Sequence, residues 1–95
     1  MDYAEEFHPK FRTDLKKLDK SIIKEIRDIH LNNILKNPYF NPSLKGKLSH
    51  IRSYHFSKNK TAYRIAYEIK EQDKIIFHYM VAKRENFYKK LDKRV

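Results

Sequence analysis

Between Ala62 and Ala82 the chain alternates with a period of two, twice over. Tyr63, Ile65, Tyr67 and Ile69 stand between Ala62, Arg64, Ala66 and Glu68. Ile75, Phe77, Tyr79 and Val81 stand between Ile76, His78, Met80 and Ala82. The polar triplet Glu71-Gln72-Asp73 separates the two runs. A strand sends successive side chains to opposite faces, so this pattern predicts an antiparallel hairpin. Its first strand carries a row of large apolar side chains, and a two-stranded hairpin alone is marginal in water. The remainder of the chain must therefore supply further strands and an apolar layer.

The N-terminal half supplies that layer. Phe11, Leu15, Leu18, Ile22, Ile26 and Ile29 are three or four residues apart, which keeps them on one helical face. Pro9 fits a helix start, and Asp19 interrupts the run as an N-cap for a second helix. The spacing predicts helices over about 10–18 and 20–35, packed as a hairpin. Asn37-Pro38 ends the second, because the residue before proline avoids the α region. Residues 37–49 then read as a loop holding Pro38, Pro42 and Gly46. Residues 50–56 read as a strand, followed by the polar loop Ser57-Lys58-Asn59-Lys60. A short strand within 2–8 and a short helix over about 84–92 complete the order. The prediction is a single α+β domain over 1–95: helices on one face of an antiparallel sheet, the other face partly open.

Charge limits what such a domain can meet. From Ile29 to Tyr67 there is no Asp or Glu, whereas Lys36, Lys45, Lys47, Arg52, Lys58, Lys60 and Arg64 all fall in that stretch. The 95 residues carry a formal charge of +10. A surface cleared of carboxylates and studded with cations suits a polyanion, RNA or DNA. There is no Cys, which excludes disulfides and thiolate metal sites. No apolar run reaches the roughly 20 residues of a membrane span. The start Met1-Asp2-Tyr3-Ala4-Glu5-Glu6 is acidic, unlike a signal peptide, so a cytoplasmic protein is expected.

Candidate chemistry lies on the strands and the tail. If Tyr63, Ile65 and Tyr67 face the helices, Arg64 points away between two alanines, free to hold a phosphate; it could equally pair with Glu68. On the preceding strand Arg52, Tyr54 and Phe56 share one face, Ser53 and His55 the other. With Arg52 and Tyr54 on the Arg64 side, a cationic and aromatic concavity would form. His50, His55 and His78 lie on or beside strands, where imidazole serves acid–base chemistry near neutral pH. His55 beside the basic loop is the open one, whereas His78 has apolar neighbours and reads as core. His30 reads as structural or solvent-facing. No histidine pair has metal-ligand spacing, so no metal or other cofactor is expected. Arg84 and Tyr88 are four apart and would share a face of one helical turn, an Arg for a phosphorane and a Tyr for a base or a proton. Alternatively Tyr88 packs with Phe87 and Leu91 against the sheet.

Taken together, Leu44-Lys45-Gly46, Tyr63-Arg64-Ile65-Ala66-Tyr67-Glu68-Ile69 and Val81-Ala82-Lys83-Arg84-Glu85 with Tyr88 resemble the RelE/ParE superfamily of bacterial toxins. The helical segment, with Phe11, Asp14-Leu15-Lys16-Lys17-Leu18 and Ile34-Leu35, is similar too. The resemblance implies a RelE-like fold, with two N-terminal helices on a twisted antiparallel sheet of about four strands. It implies the toxin of a type II toxin–antitoxin system. RelE-like members are metal-independent endoribonucleases that cut mRNA in the ribosomal A site, and a cognate antitoxin, here expected to be acidic, neutralises each.

The resemblance assigns Arg64 and Arg84 to the scissile phosphate and Tyr88 to base or stacking duty. Arg52 falls where RelE proteins carry a strand lysine, and Tyr54 where they carry a second. His50 and His55 are similar to the histidines of YafQ-type relatives. The implied reaction uses the 2′-OH as nucleophile and leaves a 2′,3′-cyclic phosphate. Tyr88 or His55 would be the base, Arg64 and Arg52 the phosphate clamp, and Arg84 would serve the leaving side. Lys45, Lys47, Tyr54, Lys58, Lys60 and Lys83 would contact mRNA and 16S or 23S ribosomal RNA. The alternative is a ParE-like toxin that inhibits DNA gyrase by binding.

Overall fold

A computed structural model describes residues 2–95. Its elements run β1 (Ala4–Phe7), α1 (Phe11–Lys16), α2 (Lys20–Glu25), a π-helical turn (Ile26–His30), α3 (Leu31–Lys36), β2 (Ile51–Lys58), β3 (Thr61–Lys70), β4 (Ile75–Lys83) and α4 (Phe87–Arg94). The strands form one sheet in the order β1-β4-β3-β2. The expected hairpin is β3–β4, and β2 extends it antiparallel. The segment within 2–8 also pairs, but β1 joins β4 in parallel, so the sheet is mixed. A parallel neighbour requires a crossover, and the helices and β2–β3 together supply it.

The helices lie on the sheet face lined by Tyr63, Ile65 and Tyr67, as the alternation predicts. Phe11, Ile22, Ile26, Ile34, Phe56 and Val81 close this main core. Two local departures change who faces it. The pairing of β3 with β4 slips between Ala66 and Tyr67, where Tyr79 is the extra residue of a bulge. Ile76 and His78 therefore share the helix-covered face with Val81, despite the difference in parity. The π-turn likewise adds a residue to one helical turn. Ile26, His30 and Ile34 line the core, while Ile29, expected on the apolar stripe, is 49% exposed.

The π-turn has a visible cause. His30 stacks on Phe56 with ring centroids 3.9 Å apart. Its Nε2 lies 2.7 Å from the Glu25 carboxylate and its Nδ1 2.7 Å from the Tyr54 hydroxyl, which also accepts from Asn33 Nδ2 at 2.9 Å. Both ring nitrogens of His30 are engaged. His30 is thus structural. His78 is fully buried, as expected of a core histidine.

The second sheet face has its own small core. Phe87 and Leu91 of α4 dock on Ile51, Ala66 and Met80. This packing covers one end of the face and leaves the His55–Arg64 end open. Asp14 fastens α4 from the far side. Its carboxylate, 8% exposed, receives Arg94 Nη1 at 2.5 Å, Arg94 Nη2 at 3.0 Å and the Val81 N–H at 3.2 Å. The predicted helix over 84–92 begins only at Phe87, because Asn86 takes a left-handed φ of 58°. The loop predicted after Ser57 contracts to a tight turn at Asn59-Lys60. Both residues have positive φ, 53° and 67°, as a two-residue hairpin of primed type requires.

Candidate functional site

β2 and β3 place His55 and Arg64 directly opposite each other, and Ser53 opposite Ala66. Cross-strand partners on one face sit roughly 5 Å apart at Cβ. The Arg64 guanidinium does not pair with Glu68, whose carboxylate accepts the Tyr79 hydroxyl at 2.6 Å. It lies instead 5.0 Å from the centroid of the Tyr88 ring. Tyr88, the second residue of α4, is 44% exposed, while Phe87 before it is 1% exposed and anchors the helix. The αL turn at Asn86 sends Phe87 inward and leaves Tyr88 on the open face.

His55 Nε2 meets Ser53 Oγ at 3.1 Å. The imidazole is exposed on one side and borders a cavity of about 440 Å³ on the other, lined also by Leu44, Lys45, Leu48 and Tyr88. Partial burial lowers its pKa from the ordinary histidine value, and the Arg64 charge lowers it further. The group is thus neutral at pH 7 and available to accept a proton beside a fixed cation. Ser53, 2% exposed, is a member of this cluster that sequence reasoning passed over. Its position two before His55 on the same strand face was the available signal.

The remaining candidates fall into separate groups. Lys60, Lys83 and Arg84 border a second concavity of about 340 Å³, with Thr61, Ala62 and Glu85. Ala62 is two residues from Arg64, so this second concavity starts about 7 Å along β3 from Arg64. The Arg84 backbone N–H donates to Ala62 O at 3.0 Å. Arg84 precedes α4, so it does not share a helical turn with Tyr88 as the spacing suggested. Lys47 pairs with Asp92 at 3.0 Å. His50 precedes β2 and is exposed.

Arg52, Tyr54 and Lys58 require the larger correction. They lie on the opposite sheet face from Arg64, because the register that puts His55 beside Arg64 turns them toward the helices. Arg52 Nη1 donates to Tyr39 O at 3.2 Å and Asn41 O at 2.6 Å, with Cζ 5.1 Å from the centroid of the Tyr39 ring. Tyr54 belongs to the His30 group, and Lys58 Nζ meets Glu25 at 3.0 Å. The cationic concavity expected from Arg52 and Tyr54 forms instead from His55, Arg64 and Tyr88. Among the described residues no three His, Cys, Asp or Glu side chains converge as a metal site.

Comparison with known proteins fits this architecture. The family described as ParE-like toxin of type II bacterial toxin-antitoxin systems matches residues 6–92. Among solved structures, free Escherichia coli toxin RelE carrying two arginine-to-alanine substitutions is 20% identical. That likeness covers 100% of this chain and 99% of RelE with a TM-score of 0.79. The RelBE2 toxin–antitoxin complex of Mycobacterium tuberculosis contains a chain 21% identical, covering 88% of this chain and 100% of that one with a TM-score of 0.77. The archaeal RelE–RelB complex of Pyrococcus horikoshii gives 22% identity, 90% and 98% coverage, and a TM-score of 0.55. No curated protein matches the sequence. The chain therefore belongs to the RelE/ParE superfamily, as a ParE-like toxin of a type II bacterial toxin–antitoxin system.

Proposed function

We propose that this toxin is a ribosome-dependent endoribonuclease that cleaves mRNA in the A site of cytoplasmic ribosomes, and that a cognate acidic antitoxin restrains it. The observation that carries the reading is His55, held neutral opposite Arg64, with the Arg64 guanidinium on the Tyr88 ring. Cleavage without an external nucleophile requires a base, an acid and a cation at one phosphate. His55 takes the proton of the ribose 2′-OH. The new 2′-O–P bond forms as the P–O5′ bond breaks, leaving a 2′,3′-cyclic phosphate and a 5′-hydroxyl. Tyr88 supplies the proton to the departing 5′-oxygen. Arg64 holds the non-bridging oxygens where charge develops, and Arg84 stands at the second concavity. Arg52 has no part in this clamp, since its guanidinium serves the loop between α3 and β2. Solved relatives bound to antitoxins support the partner assignment, and the +10 charge favours an acidic one.

Expression in a bacterium, with primer extension on cellular mRNA, tests the reading. Arg64→Ala should lower cutting by about 10²–10³-fold, the loss typical of one charge-stabilising donor, and His55→Ala by about 10²–10⁴-fold, the contribution of a general base. Cuts of undiminished strength in both variants would sink it. The ParE-like family match favours one second reading, a gyrase-directed toxin that works by binding. An SOS response with intact mRNA would select it.

A further inference from the structure

Phe40 is 84% exposed, the most exposed large apolar side chain among the described residues. Leaving such a ring in water forfeits the stabilisation that burying it would bring. Ordinary surface aromatics sit on compliant loops, but this one does not. The carbonyl of Asn37 accepts the Phe40 N–H at 3.1 Å, and that of Pro38 accepts the buried Tyr67 hydroxyl at 2.6 Å. The carbonyls of Tyr39 and Asn41 both accept Arg52, and that of Pro42 accepts the Ser53 N–H at 3.1 Å. Five of the six carbonyls from 37 to 42 are thus tied, and two prolines bracket the tip. These bonds fix the backbone at Phe40, the residue that follows the Arg52–Tyr39 stack, and its ring points outward.

The surroundings indicate what the ring meets. Phe40 stands in the middle of the stretch from Ile29 to Tyr67 that contains no carboxylate. The carboxylate that reaches the loop from elsewhere, Glu71, is already engaged by Lys74, the Tyr3 hydroxyl and the Tyr39 hydroxyl. Three residues further on, Ser43 bridges to Arg52 and enters the wall of the His55 cavity. Phe40 therefore lies within about 10 Å of chain from that wall. An exposed aromatic on a tied backbone, in a stretch of chain without carboxylates and three residues from the wall of the His55 cavity, has the chemistry of a base-stacking platform.

We propose that Phe40 stacks on an unpaired base of single-stranded RNA flanking the phosphate held at Arg64. This rests on the endoribonuclease reading and extends it to a second subsite. Being exposed, Phe40 can be replaced without disturbing the fold. The chain has no Trp, so Phe40→Trp introduces a sole tryptophan, whose emission is excited selectively over that of the seven tyrosines. Its fluorescence should be quenched by a short oligouridylate, and not by a blunt RNA duplex or by polyglutamate. Quenching by polyglutamate alone would overturn the proposal and mark a protein-docking site, and equal quenching by all three, or none, would overturn it as well. In ribosome-programmed cleavage, Phe40→Ala should raise KM about tenfold with kcat unchanged, and Phe40→Trp should restore it. A fall in kcat alone would also overturn it. Binding by fluorescence is independent of cutting. Selective quenching of the Phe40→Trp protein by oligouridylate, with no mRNA cleavage by the wild-type chain, would uphold the stacking site and count against the nuclease alone.

Discussion

At the scale of single residues, the proposed chemistry depends on one imidazole staying neutral next to a guanidinium. Two causes lower the pKa of His55, partial burial first and the Arg64 charge second. Both disfavour the protonated ring, so titration moves to acid and the base form persists below the ordinary value of about 6.5. Proton NMR on the free protein should therefore find His55 titrating below about 6.5. In Arg64→Gln it should titrate higher yet remain depressed, because the burial is unaltered. An unchanged value in that variant would mean that the two groups do not interact. Arg64, His55 and Tyr88 were all legible in the sequence, but their grouping was not. Ile51 and Phe56 put a buried apolar side chain on each parity of β2, so alternation leaves open which set faces the helices. Only the pairing of His55 with Arg64 decides it. Arg52 and Tyr54 then fall on the far face, where one braces a loop and the other a buried histidine.

At the scale of elements, the departures from the sequence reading are one-residue shifts. The π-turn exchanges Ile29 for His30, and the bulge at Tyr79 turns Val81 onto the face of Ile76. Neither breaks the apolar pattern visibly, because Ile stands at 29 as well as at 26 and 34, and apolar residues occupy both parities of β4. The turn at Asn59-Lys60 was obscured by a lysine in a position that favours glycine. A side chain with φ of 67° is strained, and glycine relieves it. Lys60→Gly should raise stability by roughly 0.5–1 kcal/mol in urea unfolding, while a loss would show that the lysine makes compensating contacts. The clasp between Asp14 and Arg94 joins residues 80 apart, and nothing local announces it. Asp14→Ala would leave Arg94, 14% exposed, without its carboxylate and with only the Tyr79 carbonyl at 2.9 Å, beside the orphaned Val81 N–H. The expected loss is about 3–5 kcal/mol, the usual cost of breaking a buried pair from one side. Since α4 carries Tyr88, hydrogen exchange in that helix should rise first. A variant with normal α4 protection would show that Phe87 and Leu91 suffice to hold it.

At the scale of the whole molecule, the acid-free stretch resolves into cations of two kinds. Lys45, Lys60 and Lys83 are exposed, Lys45 at the cavity lined by His55 and Tyr88 and the other two at the concavity lined by Arg84, where they can approach phosphates. Arg52 and Lys58 are bound internally, one to loop carbonyls and one to Glu25. Only the first kind displaces counterions when a polyanion arrives. If the ribosome is the target proposed above, association with it should weaken by roughly 10³-fold between low and physiological salt when about six phosphates are engaged. Replacing Lys60 or Lys83 by Ala should lower the slope of log affinity against log salt by about 1 each. Arg52→Ala removes the same formal charge, and sequence alone gives no ground to treat it differently. Its guanidinium is already turned to Tyr39 O and Asn41 O. The salt slope should therefore hold while stability falls by about 1.5–3 kcal/mol, the scale of a lost charged hydrogen bond. Sedimentation with ribosomes over a salt series, run beside urea melts of the three variants, separates the two kinds. If Arg52→Ala changed the slope as much as Lys60→Ala does, Arg52 would have to leave the loop to meet RNA, and the rigid tip that carries Phe40 would be rigid only in the free protein.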